Sequence, residues 1–160
     1  MKYLLDTNIC IHWLRGKYSI AERIQERGLD NCCISEITKA ELLLGEELAL
    51  KKGYNVPQGA IKKLTSILEV IPIGPGLEIF AKEKARLIAE GNMIEDFDLL
   101  IACSAIASGC ILVSENTKHM TRINGLRVEN WVVRDVDYTA KGPERKFYSE
   151  TRLSTKLFIV

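Results

Sequence analysis

The chain is poor in the residues that soft-metal and covalent chemistries need. It has only two histidines, His12 and His119, and they have no matching ligand spacing. Its five cysteines are odd in number, Cys32 and Cys33 are adjacent, and no C-x-x-C occurs. Neither a disulfide framework nor a zinc site fits that pattern, so the thiols are expected to be reduced packing residues. Charge of one sign is also lacking. A net charge of +1 excludes a polybasic nucleic-acid clamp and leaves only a local basic patch. Arg15, Lys17, Lys118 and Arg122 are the candidates for such a patch. The apolar stretch Leu99–Val113 is shorter than the roughly 20 residues of a membrane span. The opening Met1–Leu5 runs directly into Asp6, which is not the shape of a leader peptide. Repeats and low-complexity tracts are missing too. The expectation is a cytoplasmic protein with no membrane association.

What is present suits one ordinary core. Of 160 residues, 47% are hydrophobic and 27% charged, which favours a single domain. Short apolar runs, each bounded by turn residues, alternate with helical patterns. The runs are Lys2–Leu5, Cys32–Ile34, Val70–Ile73, Cys110–Val113 and Leu126–Trp131. The helical patterns are Ile9–Arg15, capped by Thr7 or Asn8; Ile20–Arg27 after Ser19; and Glu36 to about Leu50 after Ser35. Further patterns cover Ala60–Leu68, Leu77–Ala89, Phe97–Ala107 and Thr117–Ile123. Such alternation predicts an α/β fold with a mostly parallel central sheet covered by helices on both faces. The regular pattern ends at Trp131. Residues 1–131 are read as the domain and 132–160 as a C-terminal extension of uncertain order. Its one promising element is the apolar end Leu157–Val160.

Four segments place a carboxylate or carboxamide where a fold gains little from it. They are Leu4-Leu5-Asp6-Thr7-Asn8, Ala40-Glu41-Leu42-Leu43, Phe97-Asp98-Leu99-Leu100-Ile101-Ala102 and Val113-Ser114-Glu115-Asn116. Each polar residue interrupts or ends an apolar run. Buried carboxylates are costly alone, and a group of them needs a cation. Glu41 is predicted to share the apolar stripe of Ile37, Leu44 and Leu48. Asp6 ends the first strand and Asn116 follows the fourth, and parallel sheets bind ligands beyond their strands' carboxyl ends. Asp98 sits in the first turn of its helix, where negative charge is also favoured by the helix dipole. Taken singly, Asp98 and Asp6-Thr7-Asn8 also read as ordinary helix-start residues.

Oxygen donors of this kind suit magnesium or manganese, with Asp6, Asp98 and Asn116 as ligands and Glu41 joining them directly or through water. Such a site is suited to phosphodiester hydrolysis, with Glu41 orienting or deprotonating the water. His12 reads as a half-buried helix residue and His119 as a residue near the crevice.

The same residues, in this order, closely resemble a PIN-domain ribonuclease of the VapC toxin type. The likeness runs from Lys2 to Trp131 and includes the closing Ile123-Asn124-Gly125-Leu126-Arg127-Val128-Glu129-Asn130-Trp131. Each motif alone is weak; four in order at these spacings are specific. The resemblance implies a three-layer α/β/α sandwich and endonuclease activity on RNA, commonly transfer or ribosomal RNA, that depends on magnesium or manganese. It implies a cognate antitoxin and a homodimer. By position it assigns catalytic roles to Asp6, Glu41, Asp98 and Asn116, with Ser114, Thr7 and Asn8 supporting. Asn116 departs from the aspartate of many members, which lowers the charge of the pocket. Asp96 and Glu115 are further candidates for the acidic set. Two rival readings remain at this stage. One is an inactive relative that only binds RNA or its antitoxin. The other is a phosphate-accepting α/β protein, which would want a strand-end lysine and more acidic residues behind the first strand.

Overall fold

Leu4 and Leu5 have no polar group to offer water, and with Tyr3 they form the middle of a sheet buried on both faces. The computed structural model describes residues 1–55, 57 and 59–134. The proposed apolar end Leu157–Val160, with the rest of the extension from 135 on, lies outside the described residues.

Five strands run parallel in the order β3-β2-β1-β4-β5. They are β1 (Tyr3–Leu5), β2 (Cys32–Ser35), β3 (Glu69–Ile71), β4 (Ile111–Val113) and β5 (Val128–Glu129). The helices are α1 (Thr7–Leu14), α2 (Ile20–Arg27), α3 (Glu36–Lys51), α4 (Ala60–Ile67), α5 (Leu77–Ala89), α6 (Asp96–Ala107) and α7 (Thr117–Met120). Successive strand residues point to opposite faces, so the sheet sorts its side chains into two cores. Tyr3, Leu5, Cys32, Ile34, Ile111 and Val113 pack with Ile9, Ile24, Leu42, Leu64 and Trp131 on one side. Leu4, Cys33 and Leu112 pack with Leu87, Leu99, Ala102 and Met120 on the other. The result is the three-layer sandwich expected from the alternation of elements.

Several local expectations need correction. Asp6, not Thr7 or Asn8, caps α1: its side chain accepts a hydrogen bond from the Thr7 backbone N–H. On α3 the buried positions are Thr38 and Leu42, while Leu44 and Leu48 are 56% and 49% exposed. The helix lies on the sheet only through its first half, so the stripe of Ile37, Leu44 and Leu48 does not face the core throughout. The last strand shrinks to Val128–Glu129. The third begins one residue early, at Glu69, and ends before Pro72, whose missing N–H cannot extend a ladder. Val132 is buried beside Trp131, so the core continues one residue past the expected boundary at 131. No helix among the described residues is long and apolar enough to cross a membrane.

All five cysteines are free and buried. Burial pushes the Cys32 thiol up to about 11 and the Cys103 thiol up to about 12, which leaves little thiolate at neutral pH. They are packing residues, as their sequence context suggested.

Gly76 marks the tightest approach in the scaffold. A β-carbon there would lie 3.0 Å from the backbone carbon of Cys103 and 3.1 Å from the Ser104 nitrogen. Those atoms belong to α6, the helix that carries Asp98, and backbone cannot swing aside. Gly76→Ala is therefore expected to cost about 1–3 kcal/mol, in the range of other overpacked cores. Urea unfolding with an unchanged m-value would measure it. Wild-type stability would show that the turn can move off the helix.

Candidate active site

The sheet register builds the centre of the site. Leu5 of β1 is paired with Val113 of β4, so the next residues, Asp6 and Ser114, leave the two central strands side by side. The Asp6 backbone N–H donates to the Val113 carbonyl at 3.0 Å, which carries the pairing one step further. The chain then turns from β1 into α1. In that turn Asp6 Oδ1 accepts from the Thr7 backbone N–H at 2.8 Å. Asp6 Oδ2 accepts from Ser114 Oγ and from Asn8 Nδ2, both at 2.6 Å. Asp6 is only 3% exposed.

The remaining motif residues attach to this pair. Thr7 Oγ1 donates a short hydrogen bond to Glu41 Oε2, which links α1 to α3. Asn116 Nδ2 donates to Asp98 Oδ2 at 3.3 Å, which links the end of β4 to the first turn of α6. The Asn116 backbone N–H donates to Ser114 Oγ at 3.0 Å. A continuous run of hydrogen bonds thus passes from Glu41 through Thr7, Asp6, Ser114 and Asn116 to Asp98. Residues 110 positions apart in sequence are joined by four separate elements, as the four motifs required.

The electrostatics of this run are unfavourable without a cation. Burial holds the Asp6 carboxyl above the ordinary aspartate range, against the lowering effect of the Ser114 and Thr7 hydrogen bonds; the charge of Asp98 adds to the rise. Burial likewise raises Asp98, opposed by the hydrogen bond from Asn116 and reinforced by the charge of Glu95. Among the described residues neither Asp6, Glu41 nor Asp98 pairs with a lysine or arginine. A cluster of carboxylates held by neutral donors fits a divalent ion better than it fits a structural ion pair. The donors are all oxygens, which suits a hard cation. Among the described residues no group of three or more acidic, histidine or cysteine side chains stands close enough together to hold a metal ion by itself.

The two further acidic candidates stand elsewhere. Asp96 pairs with Lys84 at 2.6 Å and so leaves the acidic set. Glu115 turns away from the pocket to His12 and Arg134. The two residues point apart from Asp98 and Asn116 because neighbours on a helix or turn cannot share a face. His12 is half-buried on α1. His119 lies at the rim, with Nδ1 3.2 Å from Asn116 Nδ2. Arg134 went unnoticed in the sequence because it lies in the segment where regular patterning has stopped.

Comparison with known proteins identifies the family. Residues 3–126 match the model of the PIN domain. A tRNA(fMet)-specific endonuclease VapC from Shigella flexneri is 32% identical, the match covering 82% of this chain and 98% of that protein. Ribonuclease VapC2 from Haemophilus influenzae is 35% identical, over 82% of this chain and 99% of its own length. Among solved structures, VapBC2 from Rickettsia felis, bound to a promoter DNA fragment, superposes with a TM-score of 0.73. It is 33% identical over 82% of this chain and 99% of that one. With a strand-end aspartate, three more motif residues joined to it, and relatives matched over nearly their full length, the chain belongs to the PIN-domain family, among the VapC ribonucleases.

Proposed function

We propose that the chain is a divalent-metal-dependent endoribonuclease, the toxin of a toxin–antitoxin pair, acting on RNA in the cytoplasm. The observation that supports this most is the run of carboxylates joined beyond the carboxyl ends of β1 and β4, none of which pairs with a lysine or arginine among the described residues. In this reading Asp6, Asp98 and Asn116 hold magnesium or manganese, and Glu41 joins them through water. When bound, such an ion makes water more acidic and offsets the charge that grows on the phosphate. Ser114, Asn8 and Thr7 orient the carboxylates by donating to them. Glu41, on the α3 side, is placed to orient the attacking water and take its proton. The RNA phosphates would be met by exposed basic residues, Lys17 and Lys118 among them.

The resemblance to a tRNA(fMet)-specific endonuclease makes transfer RNA the first substrate to try. An antitoxin and a second copy of the chain are the expected partners. The test is incubation of the purified full-length protein with total RNA, with magnesium or manganese or with a chelator, beside Asp6→Ala. Cleavage that needs the metal and vanishes in the variant is expected. Equal RNA profiles in all lanes would favour an inactive relative. Sequencing of the new RNA ends would then name the target.

A further inference from the structure

Glu115 lies between two residues of the site and is gripped from two directions. Its backbone N–H donates to Asn8 Oδ1 at 3.2 Å. One turn further along α1, His12 Nε2 meets Glu115 Oε2 at 2.9 Å. Arg134 donates from Nε to Oε1 at 3.1 Å and makes a second, shorter contact through Nη2. The Arg134 guanidinium also lies 5.6 Å over the ring of Tyr18, which stands edge-on to His12 with centroids 4.7 Å apart. These four side chains form one cluster on the outer side of the strand-end turn.

Two observations set this cluster apart from an ordinary surface ion pair. Tyr18 and Ser19 have φ of 58° and 51°, a left-handed conformation that L residues rarely adopt. The packing of Tyr18 on His12 and Arg134 keeps that loop in place. Second, His12 Nδ1 is buried with no hydrogen-bond partner among the described residues, so Nε2 is the atom committed to Glu115. The other anchors of the turn are the hydrogen bonds of the site itself, to Asp6, Asn8 and Asp98. Ser114 donates its backbone N–H to the Glu129 carbonyl at 3.0 Å, and beyond that residue the ladder ends.

We propose that Glu115, clamped by His12 and Arg134, is a positioning residue that fixes the 114–116 turn and so presents Ser114 and Asn116 to Asp6 and Asp98. The proposal rests on the metal-dependent ribonuclease reading of the same site. Glu115 touches no reacting group; it acts through its neighbours. It also gives the first residues after Trp131 a task, because Arg134 supplies one jaw of the clamp.

The test uses the full-length protein with Glu115→Ala and Glu115→Gln. Manganese binding is measured by calorimetry with the metal alone. Turnover is measured on an RNA oligonucleotide spanning a cleavage site found by end sequencing. By analogy with other outer-shell partners of metal ligands, Glu115→Ala should weaken manganese binding by about tenfold or more. It should lower kcat and leave KM nearly unchanged. Glutamine keeps one acceptor oxygen, for Arg134, and sets its amide nitrogen in place of the oxygen that meets His12, so Glu115→Gln should restore part of both. Wild-type manganese affinity and kcat in Glu115→Ala would overturn the proposal. So would a loss confined to melting temperature, which marks a merely structural ion pair. A wild type that binds manganese but cuts no RNA would overturn the ribonuclease reading alone, because the calorimetry still judges Glu115. A wild type that binds no manganese would overturn the proposal.

Discussion

Asp98→Asn is expected to abolish RNA cleavage while making the metal-free protein more stable at neutral pH. The loss of rate should be about 10²–10⁴-fold, the span covered by removal of a group that serves acid–base or metal-activating chemistry. The gain in stability follows from burial, which holds the Asp98 carboxyl above the ordinary range in the fold. Below the unfolded value of about 3.8 the carboxyl is protonated in both states and costs nothing. As pH rises past that value, the unfolded chain releases its proton first. Stability then falls until pH exceeds the folded value, and above it the full cost persists. Asparagine carries none of this cost and can still accept from Asn116 Nδ2 with its carbonyl oxygen. The melting temperature of the variant should therefore match the wild type at low pH and exceed it by a margin that grows to a plateau toward neutrality. Added manganese should close the gap by stabilising the wild type alone. A variant that still arrests growth on expression would remove Asp98 from the site. A variant less stable than the wild type at neutral pH would show that the carboxylate has a structural partner.

Asp6→Asn should share the loss of cleavage but not the gain in stability. Asp6 Oδ2 accepts from Ser114 Oγ and from Asn8 Nδ2. An amide nitrogen at that place would face the Asn8 nitrogen, donor against donor. Asn8 cannot simply flip, because its own oxygen accepts from the Glu115 backbone. The two aspartates are alike in motif and differ in the number of donors aimed at them.

That difference was not legible in the sequence, although the convergence of the four motifs was. A carboxylate at the end of an all-apolar strand can only be a ligand, a cap or an error of reading, and Asp6 is both cap and candidate ligand. The parallel sheet was legible because β1, β2 and β4 are buried on both faces and read as unbroken apolar runs. The burial of α3 was misread because helical periodicity tells which residues share a face, not how far along the helix that face stays covered. Leu44 and Leu48 fall on the uncovered half. Glu115 and Asp96 show a second limit. Acidic residues beside a motif look equivalent in sequence, yet Lys84, His12 and Arg134 draw these two away. Partners from distant segments, such as Arg134, have no local signal at all.

Ser114 is the point at which packing and chemistry coincide, and Ser114→Ala should damage both. The side chain is 0% exposed and its oxygen serves three groups. It donates to Asp6 Oδ2 at 2.6 Å, accepts from the Asn116 backbone at 3.0 Å and lies 3.4 Å from Asn8 Nδ2. Alanine leaves the Asn116 N–H without its partner in a part-buried turn, a loss of about 1–3 kcal/mol. In a chain of this size each kcal/mol lowers the melting temperature by about 2–4 °C. The same change removes one of the two donors to Asp6 Oδ2 and frees the Asn116 backbone, so cleavage should fall by about 10–100-fold, as for other groups that orient metal ligands. Ser114→Thr separates the two effects. It keeps the hydroxyl for Asp6 and Asn116 but forces a methyl group into a site with no free surface. Activity should then recover further than stability does. If threonine restores stability without activity, the hydroxyl is a packing detail and the Asp6–Ser114–Asn116 link does not serve the chemistry.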